Sequence, residues 1–258
     1  MRLEYSTWKQ VEDYFKEHDL VVIPVGSTEN HGSHLALGTD SIIPTKLAEM
    51  MDETLDVLFA PTVPFGVADY HAGYPGTLSL GIDGLYMVIK KITDSLYESG
   101  ARKFIFLNGH GGNDPVFSRI GWDLNAKGAI SANLNWWQIS AQINPEWKGG
   151  HGGAQETSAI MAINPDWVHM EYLEDFIPPM LTDALPYEVA DKVNFKGIAI
   201  SAPRMVKNYA TPGWFGPDHP KNANVAWGEE MLKASAEFCA EFIREFDRID
   251  LSQFTFRK

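Results

Sequence analysis

Residues 26–40, GSTENHGSHLALGTD, place a glutamate, two histidines and an aspartate on one short glycine-flanked stretch. Glu29, His31 and Asp40 offer carboxylate and imidazole groups, the donors that suit zinc, manganese or iron. Donors on one loop can bind a single ion or two adjacent ions, and an aspartate can bridge a pair because it has two oxygens. Two adjacent metals can share the activation of water and the stabilisation of a developing oxyanion. Together with the two segments described next, the stretch predicts a metal centre capable of hydrolysis.

Two further glycine-rich segments carry donors of the same kind. His110 lies in NGHGGND, and His151 and Glu156 lie in KGGHGGAQETS. Glycines beside each histidine let the backbone turn tightly and approach a ligand closely. Each residue taken singly also has a structural interpretation: Asp40 and Glu156 could serve helix starts, and His110 could bond to backbone in a turn. For His34, on the first stretch, a buried core histidine is the preferred interpretation.

Alternating strand-like and helix-like stretches would position these segments. Residues 19–26 and 103–109 are continuous apolar runs ending in glycine, as expected for strands buried on both faces. Apolar residues at helical spacing predict helices over residues 41–53, 85–100, 154–164 and 232–246. Strands that alternate with helices predict an α/β fold with a parallel sheet and right-handed crossovers. In such sheets the ligand site lies beyond the carboxyl ends of the strands, where both histidine loops would meet.

Composition narrows the class of protein. The chain has 258 residues, 45% apolar and 21% charged, so one domain over 1–258 is expected. The net charge of −13 argues against a nucleic-acid partner. No apolar run is long enough to span a membrane, and the N-terminal stretch lacks a signal-peptide core. The single cysteine, Cys239, cannot form an internal disulfide, which fits a cytoplasmic location.

Four motifs resemble the creatininase family of creatinine amidohydrolase-like proteins, in that family's order and spacing. They are VVIPVGSTENHGSHLALGTD, YPGTLSL, LNGHGGN and HGGAQETSAIMAINP. The resemblance is strong over about residues 7–165 and weaker in the last third. It implies a three-layer α/β/α sandwich with a mainly parallel sheet. It also implies two divalent metal ions per chain, either zinc, manganese or iron, and a homo-oligomer that is commonly a hexamer.

The resemblance also implies a role for each donor by its position in the motifs. Glu29 and His110 match ligands of one metal, His31 matches a ligand of the other, and Asp40 matches the bridge. His151 matches the histidine proposed as the proton shuttle in creatininase.

One departure from the family pattern concerns the second histidine loop. Creatininase has a tyrosine and a metal-binding glutamate directly after this histidine, whereas this chain has Gly111 and Gly112. We therefore predict that Glu156 supplies the missing ligand, the alternative being that it only caps its own helix. The same change argues against creatinine as the substrate.

The expected activity is hydrolysis of a C–N bond in an amide, cyclic amide or formamide of a small polar molecule. His151 would pass a proton to the leaving group. The alternatives are ring opening of a cyclic ketone such as an oxidised inositol, a non-catalytic metal-binding protein, and a redox enzyme that holds iron. Candidate substrate-binding residues are Tyr70, His71, Trp136 and Trp137, although the two tryptophans could instead pack in the core or at a subunit interface.

Overall fold

The computed structural model describes residues 1–256 and shows a parallel sheet between two layers of helices. The strands of the main sheet are β1 (Leu20–Val25), β2 (Leu58–Phe59), β3 (Lys103–Asn108) and β4 (Ile130–Asn135). The α-helices are α1 (Trp8–Glu17), α2 (Thr39–Asp52), α3 (Gly81–Ser99), α4 (Asp114–Ala126), α5 (Trp136–Ile143), α6 (Ala154–Ile163) and α7 (Val225–Asp247). Two antiparallel ribbons lie between α6 and α7, formed by β5 (Met180–Thr182), β6 (Leu185–Pro186), β7 (Lys192–Phe195) and β8 (Ile198–Ser201).

The main sheet has the spatial order β2–β1–β3–β4, and every neighbouring pair is parallel. Val25 pairs with Asn108, and Asn108 pairs with Asn135, so three strands end level with one another. The loops that follow these strands therefore start at one edge of the sheet, as the sequence predicts.

The two faces of the sheet support separate apolar layers. Along β1, Leu20 and Val22 pack with residues of α2, α6 and α7, whereas Val21 and Ile23 pack with residues of α3 and α4. This division follows from the alternation of side chains along a strand. Every residue of β1 and β3 is buried, which explains their continuous apolar runs. The predicted three-layer α/β/α fold is confirmed.

The predicted strands and three of the four predicted helices agree with the structure to within about four residues, whereas α7 begins at Val225, well before the predicted start at 232. One difference bears on the site. Helix α2 begins at Thr39, with Gly38 as its N-cap, so Asp40 lies in the first turn instead of capping the helix. Cys239 is buried on α7. Across residues 1–256, none of the helices combines the length and the apolar character needed to cross a membrane.

Candidate metal centre

The loop from β1 to α2 buries its donors at the carboxyl edge of the sheet. Glu29 and His31 are fully buried, and Asp40 is almost so. The first turn of α2 lies against the end of β3, because a Cβ on Gly109 would come within 1.8 Å of the Asp40 carbonyl oxygen. Only glycine allows this approach, which brings Asp40 beside the neighbouring His110.

One donor group consists of Glu29, Asp40 and His110. The Nδ1 atom of His110 lies 3.2 Å from Glu29 Oε1 and 3.0 Å from Asp40 Oδ2. The other ring nitrogen, Nε2, donates to the Val67 carbonyl at 2.9 Å, so Nδ1 is the ring nitrogen that is directed at the carboxylates. Ser27 Oγ donates to Glu29 Oε2 at 2.7 Å. This arrangement orients the ligand atoms through hydrogen bonds from outside the group, as in known metal sites.

A second donor group consists of His31, Asp40 and Glu156. His31 donates from Nδ1 to the Glu29 carbonyl at 3.1 Å, so Nε2 is the ring nitrogen that is directed at the carboxylates. Nε2 lies 2.9 Å from Asp40 Oδ1 and 3.8 Å from Glu156 Oε2. In each of the two groups, all three ligand atoms lie within 4.8 Å of one another. Asp40 belongs to both groups and offers a different oxygen to each.

The donor groups contain buried carboxylate oxygens that lack a hydrogen-bond donor in the described chain, and this makes the groups suitable for divalent cations. Glu29 Oε1 and Asp40 Oδ2 are inaccessible to solvent and accept no hydrogen bond from any group in residues 1–256. Buried carboxylate oxygens without a donor are costly, and a cation compensates for them. Carboxylate and imidazole donors in this combination suit zinc, manganese or iron.

The charges of the buried groups depend strongly on one another. Burial opposes the charged forms of Asp40, His31 and His110, yet their mutual attraction, with that of Glu29, lowers the pKa of Asp40 and raises those of both histidines. Burial also raises the pKa of Glu156 to about 7, because His31 only partly offsets it. The pocket therefore attracts positive charge, whether protons or metal ions.

Glu156 makes contacts that belong to both of its predicted roles. It lies in the first turn of α6, where Oε2 accepts the Gly152 N–H at 2.6 Å, which is a capping contact. The same oxygen is the atom that faces His31 at 3.8 Å. The helix start thus holds this carboxylate at the second donor group.

His151 lies beside both groups on the approach from the cavity. It donates from Nε2 to the Asn30 carbonyl at 2.6 Å, and its Nδ1 lies 3.8 Å from Glu29 Oε1. Burial, with the neighbouring imidazoles of His31 and His71, holds the pKa of His151 well below its usual range. It is therefore neutral at pH 7, with a lone pair on Nδ1. Because Glu29, His31 and His151 also form a set of atoms within 4.8 Å, a ligand role is geometrically open to it.

The space beside Gly112 leaves no room for a side chain at the position where this chain departs from the creatininase pattern. A Cβ at this position would come within 2.4 Å of the Val67 carbonyl oxygen and 2.6 Å of the Tyr70 hydroxyl. The Tyr70 hydroxyl lies 3.0 Å from His110 Nε2. Tyr70 and the His110 ring therefore occupy the space that a longer side chain at position 112 would need.

Three of the four candidate substrate-binding residues line one cavity of about 870 Å³ above the donor groups, namely Tyr70, His71 and Trp137. His71 also reaches the centre itself, with Nε2 3.2 Å from Glu29 Oε1. Trp136 does not line the cavity: it is fully buried in the core layer with α6 and α7, which agrees with the packing alternative. His34 is also buried, with Nε2 3.1 Å from Thr157 Oγ1, and it belongs to neither donor group nor to the set formed by Glu29, His31 and His151.

Two asparagines organise the second histidine loop, and neither was assigned a role from the sequence. Asn108 Oδ1 accepts the His110 N–H at 3.0 Å. Asn113 donates to the Gly26 carbonyl at 3.1 Å and accepts from the Val67 N–H at 3.1 Å, so it ties three loops together. Both residues lie in the LNGHGGN motif, and this position at a strand end is the signal that could have identified them.

Comparison with known proteins gives a consistent family assignment. The family model for creatininase, creatinine amidohydrolase, matches residues 4–243. Creatinine amidohydrolase from Pseudomonas putida is 30% identical over 93% of this chain and 94% of its own length. 3-dehydro-scyllo-inosose hydrolase from Thermotoga maritima is 32% identical over 67% of this chain, although the match covers 59% of that relative. A mycofactocin precursor peptide peptidase from Mycolicibacterium smegmatis is 31% identical over 88% of this chain and 85% of its own.

Solved structures agree with these relatives. One named Creatininase Mn has a TM-score of 0.76 at 25% identity and covers 96% of this chain and 99% of its own. A creatininase variant of Zn-Zn type has a TM-score of 0.75 at 25% identity, over 96% of this chain and 98% of its own. Since the family model spans nearly the whole chain and the relatives are hydrolases, this protein is a hydrolase of the creatininase family.

Proposed function

We propose that this chain is a dinuclear metal-dependent hydrolase that cleaves a C–N bond in an amide, cyclic amide or formamide of a small polar molecule. The observation that carries the proposal is the position of Asp40, whose Oδ2 lies 3.0 Å from His110 Nδ1 and whose Oδ1 lies 2.9 Å from His31 Nε2. Such a position is expected of a carboxylate that bridges two cations. Two divalent cations held by these groups would supply an activated water and polarise a carbonyl group.

His151 is the residue best suited to move the proton. Its Nε2–H is fixed on the Asn30 carbonyl, so Nδ1 is the atom that accepts a proton, on the side of Glu29. A neutral imidazole can take a proton from the attacking water and then donate it to the departing nitrogen. One side chain thereby acts first as general base and then as general acid.

The cavity and the relatives support an amide-type substrate larger than creatinine. A volume of about 870 Å³ is near the upper end for small-molecule sites, and a single five-membered ring would fill little of it. Two of the relatives are named as an amidohydrolase and a peptidase, and both names denote cleavage of a C–N bond.

Ring opening of a cyclic ketone is a second candidate function. The similarity to 3-dehydro-scyllo-inosose hydrolase favours it. In that reaction the bond broken after water attack is C–C, so His151 would deliver its proton to carbon instead of nitrogen.

Metal analysis followed by a substrate screen tests the proposal. Protein purified without chelator should contain about two equivalents of divalent metal per chain, as two-metal hydrolases do. The metal-loaded protein is then screened against cyclic amides, formamides and cyclic ketones, with release of amine or formate separating the first two from the third. Reproducible activity at a metal content near zero would refute the proposal.

A further inference from the structure

The cavity above the donor groups has a second polar end, formed by a segment far along the chain. Residues 203–209, which follow the antiparallel ribbons, bring Arg204 and Tyr209 into its lining. Arg204 is the cavity's one lysine or arginine within the described part of the chain, and the other charged lining residues outside the donor groups are Asp69 and Asp191. This cation therefore stands alone in the cavity of a protein with a net charge of −13.

The guanidinium of Arg204 is held in place by neutral groups. Its Nη1 donates to the carbonyl oxygens of Asp191 and Ala202, both at 2.8 Å, and its central carbon lies 5.1 Å from the ring centre of Tyr209. The Nε atom is buried and has no acceptor among residues 1–256. The carboxylate of Asp191 accepts from Ser201 Oγ, and no ion pair joins it to the arginine in the described structure.

These contacts leave the guanidinium without a direct ion-pair partner among residues 1–256. Carbonyl and aromatic contacts fix the orientation of a guanidinium, but they carry no negative charge to balance it. The buried Nε–H is a donor whose lost hydration is not replaced. Both features are expected where an arginine is oriented in advance for an anionic oxygen group of a ligand.

A chain of aromatic contacts connects Arg204 to the proton-transfer site. The Tyr209 ring lies 5.3 Å from the ring of Phe215, which in turn stacks on His151 at 5.1 Å. All of these residues line the same cavity. One elongated molecule can therefore place a reacting carbonyl near His151 and reach the guanidinium with its other end.

We propose that the substrate carries an anionic oxygen group, a carboxylate or a phosphate, distal to the hydrolysed bond, and that Arg204 binds this group. The inference rests on the proposed function, because it assumes that the reacting bond lies at the donor groups. The inference adds a substrate class to the proposed function: the hydrolysed amide belongs to an anionic molecule and not to a small neutral ring. Asp69 and Asp191 also line the cavity and repel negative charge, so recognition depends on an anion that contacts the guanidinium directly.

Matched hydroxamate probes test whether the far end of the cavity prefers an anionic group while the hydroxamate binds at the metal end. The probes are the monohydroxamates of glutaric, adipic and pimelic acid, whose hydroxamate binds metal and whose far end is a carboxylate. Each is compared with the probe of equal length that ends in a primary amide, and a third series ends in a phosphonate. Dissociation constants are measured by titration calorimetry on the metal-loaded protein. At the length that spans the cavity, we expect an anionic end to bind about 10- to 100-fold more tightly than the amide. The preferred series distinguishes a carboxylate from a phosphate.

Variants of Arg204 test whether this residue causes the preference for an anionic end. Arg204→Gln should abolish it while leaving the affinity of the amide probes unchanged, and Arg204→Lys should keep part of it because the charge remains. The matched control is Arg102→Gln: Arg102 also donates from Nη1 to two carbonyls and lies 3.9 Å from the ring centre of Tyr97, but it is outside the cavity. This control should leave the preference intact.

Each other outcome overturns the inference in a recognisable way. If hydroxamates bind but no length favours an anionic end, the inference is wrong and the proposed function stands. If no hydroxamate binds the metal-loaded protein, the proposed function fails and the inference fails with it. Equal weakening of anionic and amide probes by Arg204→Gln would make the residue structural. Should that variant not fold, the preference of the wild type and its reduction in Arg204→Lys decide.

Discussion

Asp40 connects the two halves of the proposed centre, since its carboxylate is shared between His110 and His31. Replacing a shared ligand should affect both ions, whereas replacing a ligand of one group should affect one. Asp40→Asn is therefore expected to lose both metal equivalents, and Glu156→Gln to lose one. Elemental analysis after dialysis measures both. Asp69→Asn, in a cavity residue outside the donor groups, is the control and should keep full metal content. Full metal content in Glu156→Gln would leave Glu156 as a helix-capping residue only.

His151 can be tested as a proton carrier separately from a role as ligand. Its Nδ1 lies 3.8 Å from Glu29 Oε1, close enough to serve either role. If it carries the proton, His151→Ala should lower kcat by about 10²–10⁴-fold, the usual effect of removing a general acid or base. Metal content should stay at the wild-type level. A parallel loss of metal and activity would show instead that His151 is a ligand.

Gly112 is required by the packing around His110. A Cβ there would collide with the Val67 carbonyl and the Tyr70 hydroxyl, both of which contact the His110 ring. Because such contacts orient a metal-binding imidazole, Gly112→Ala should weaken metal binding by about 10- to 100-fold. The matched control is Gly111→Ala, whose Cβ would meet only the Trp137 ring, at 3.6 Å. Competition with a fluorescent chelator measures the affinity, and equal affinities in the two variants would contradict the argument.

At the scale of elements, the sequence predicts best those strands and helices that are buried in a regular way. Strands β1 and β3 are buried on both faces and read as unbroken apolar runs. The edge strand β4, with the sequence ISANLN, is only partly buried, and its mixture of polar and apolar residues gives no such signal. The ribbons of β5 to β8 are mostly exposed and short, so neither burial nor periodicity marks them.

The close packing of α6 against α7 gives a prediction about a residue that does not line the cavity. Gly228 lies where the helices cross, and a Cβ there would come within 2.0 Å of the Ser158 carbonyl oxygen. Gly228→Ala must therefore push α6 away, at a cost of about 1–3 kcal/mol in the free energy of unfolding. Glu156 lies on the same helix, so its metal should bind more weakly as well. The control Glu229→Ala, at an exposed position, should change stability by less than about 0.5 kcal/mol. Urea denaturation measures both variants.

Across the whole molecule, the proximity of the candidate donors could be predicted because each follows a strand or starts a helix at the same edge of one sheet. Glu29 and His110 belong to loops after β1 and β3, and their types alone indicate metal chemistry. The position of Arg204 in the cavity could not be predicted in this way. It reaches the cavity from a segment whose position depends on long-range contacts, and an isolated arginine in a weakly patterned region has no distinguishing signal.

The burial of the centre links metal binding to the stability of the whole fold. Glu29, Asp40 and Glu156 are all buried, and two of their oxygens have no hydrogen-bond donor within residues 1–256. A cation that binds the folded chain at 100 times its dissociation constant adds about 2.7 kcal/mol. For a chain of this length each kcal/mol is worth about 2–4 °C, so EDTA should lower Tm by roughly 5–10 °C. Calorimetry should show recovery with Mn²⁺ or Zn²⁺ but not with Ca²⁺, which prefers all-oxygen sites.

The variant Asp40→Asn separates this linkage from a general effect of the chelator. Its Tm should already be lower than that of the wild type and should respond little to EDTA, because both donor groups are disrupted at once. The linkage would be contradicted if EDTA leaves the wild-type Tm unchanged in protein that elemental analysis then shows to be metal-free. The histidines and carboxylates would then stabilise one another through protons alone, as the raised pKa values of His31 and His110 allow.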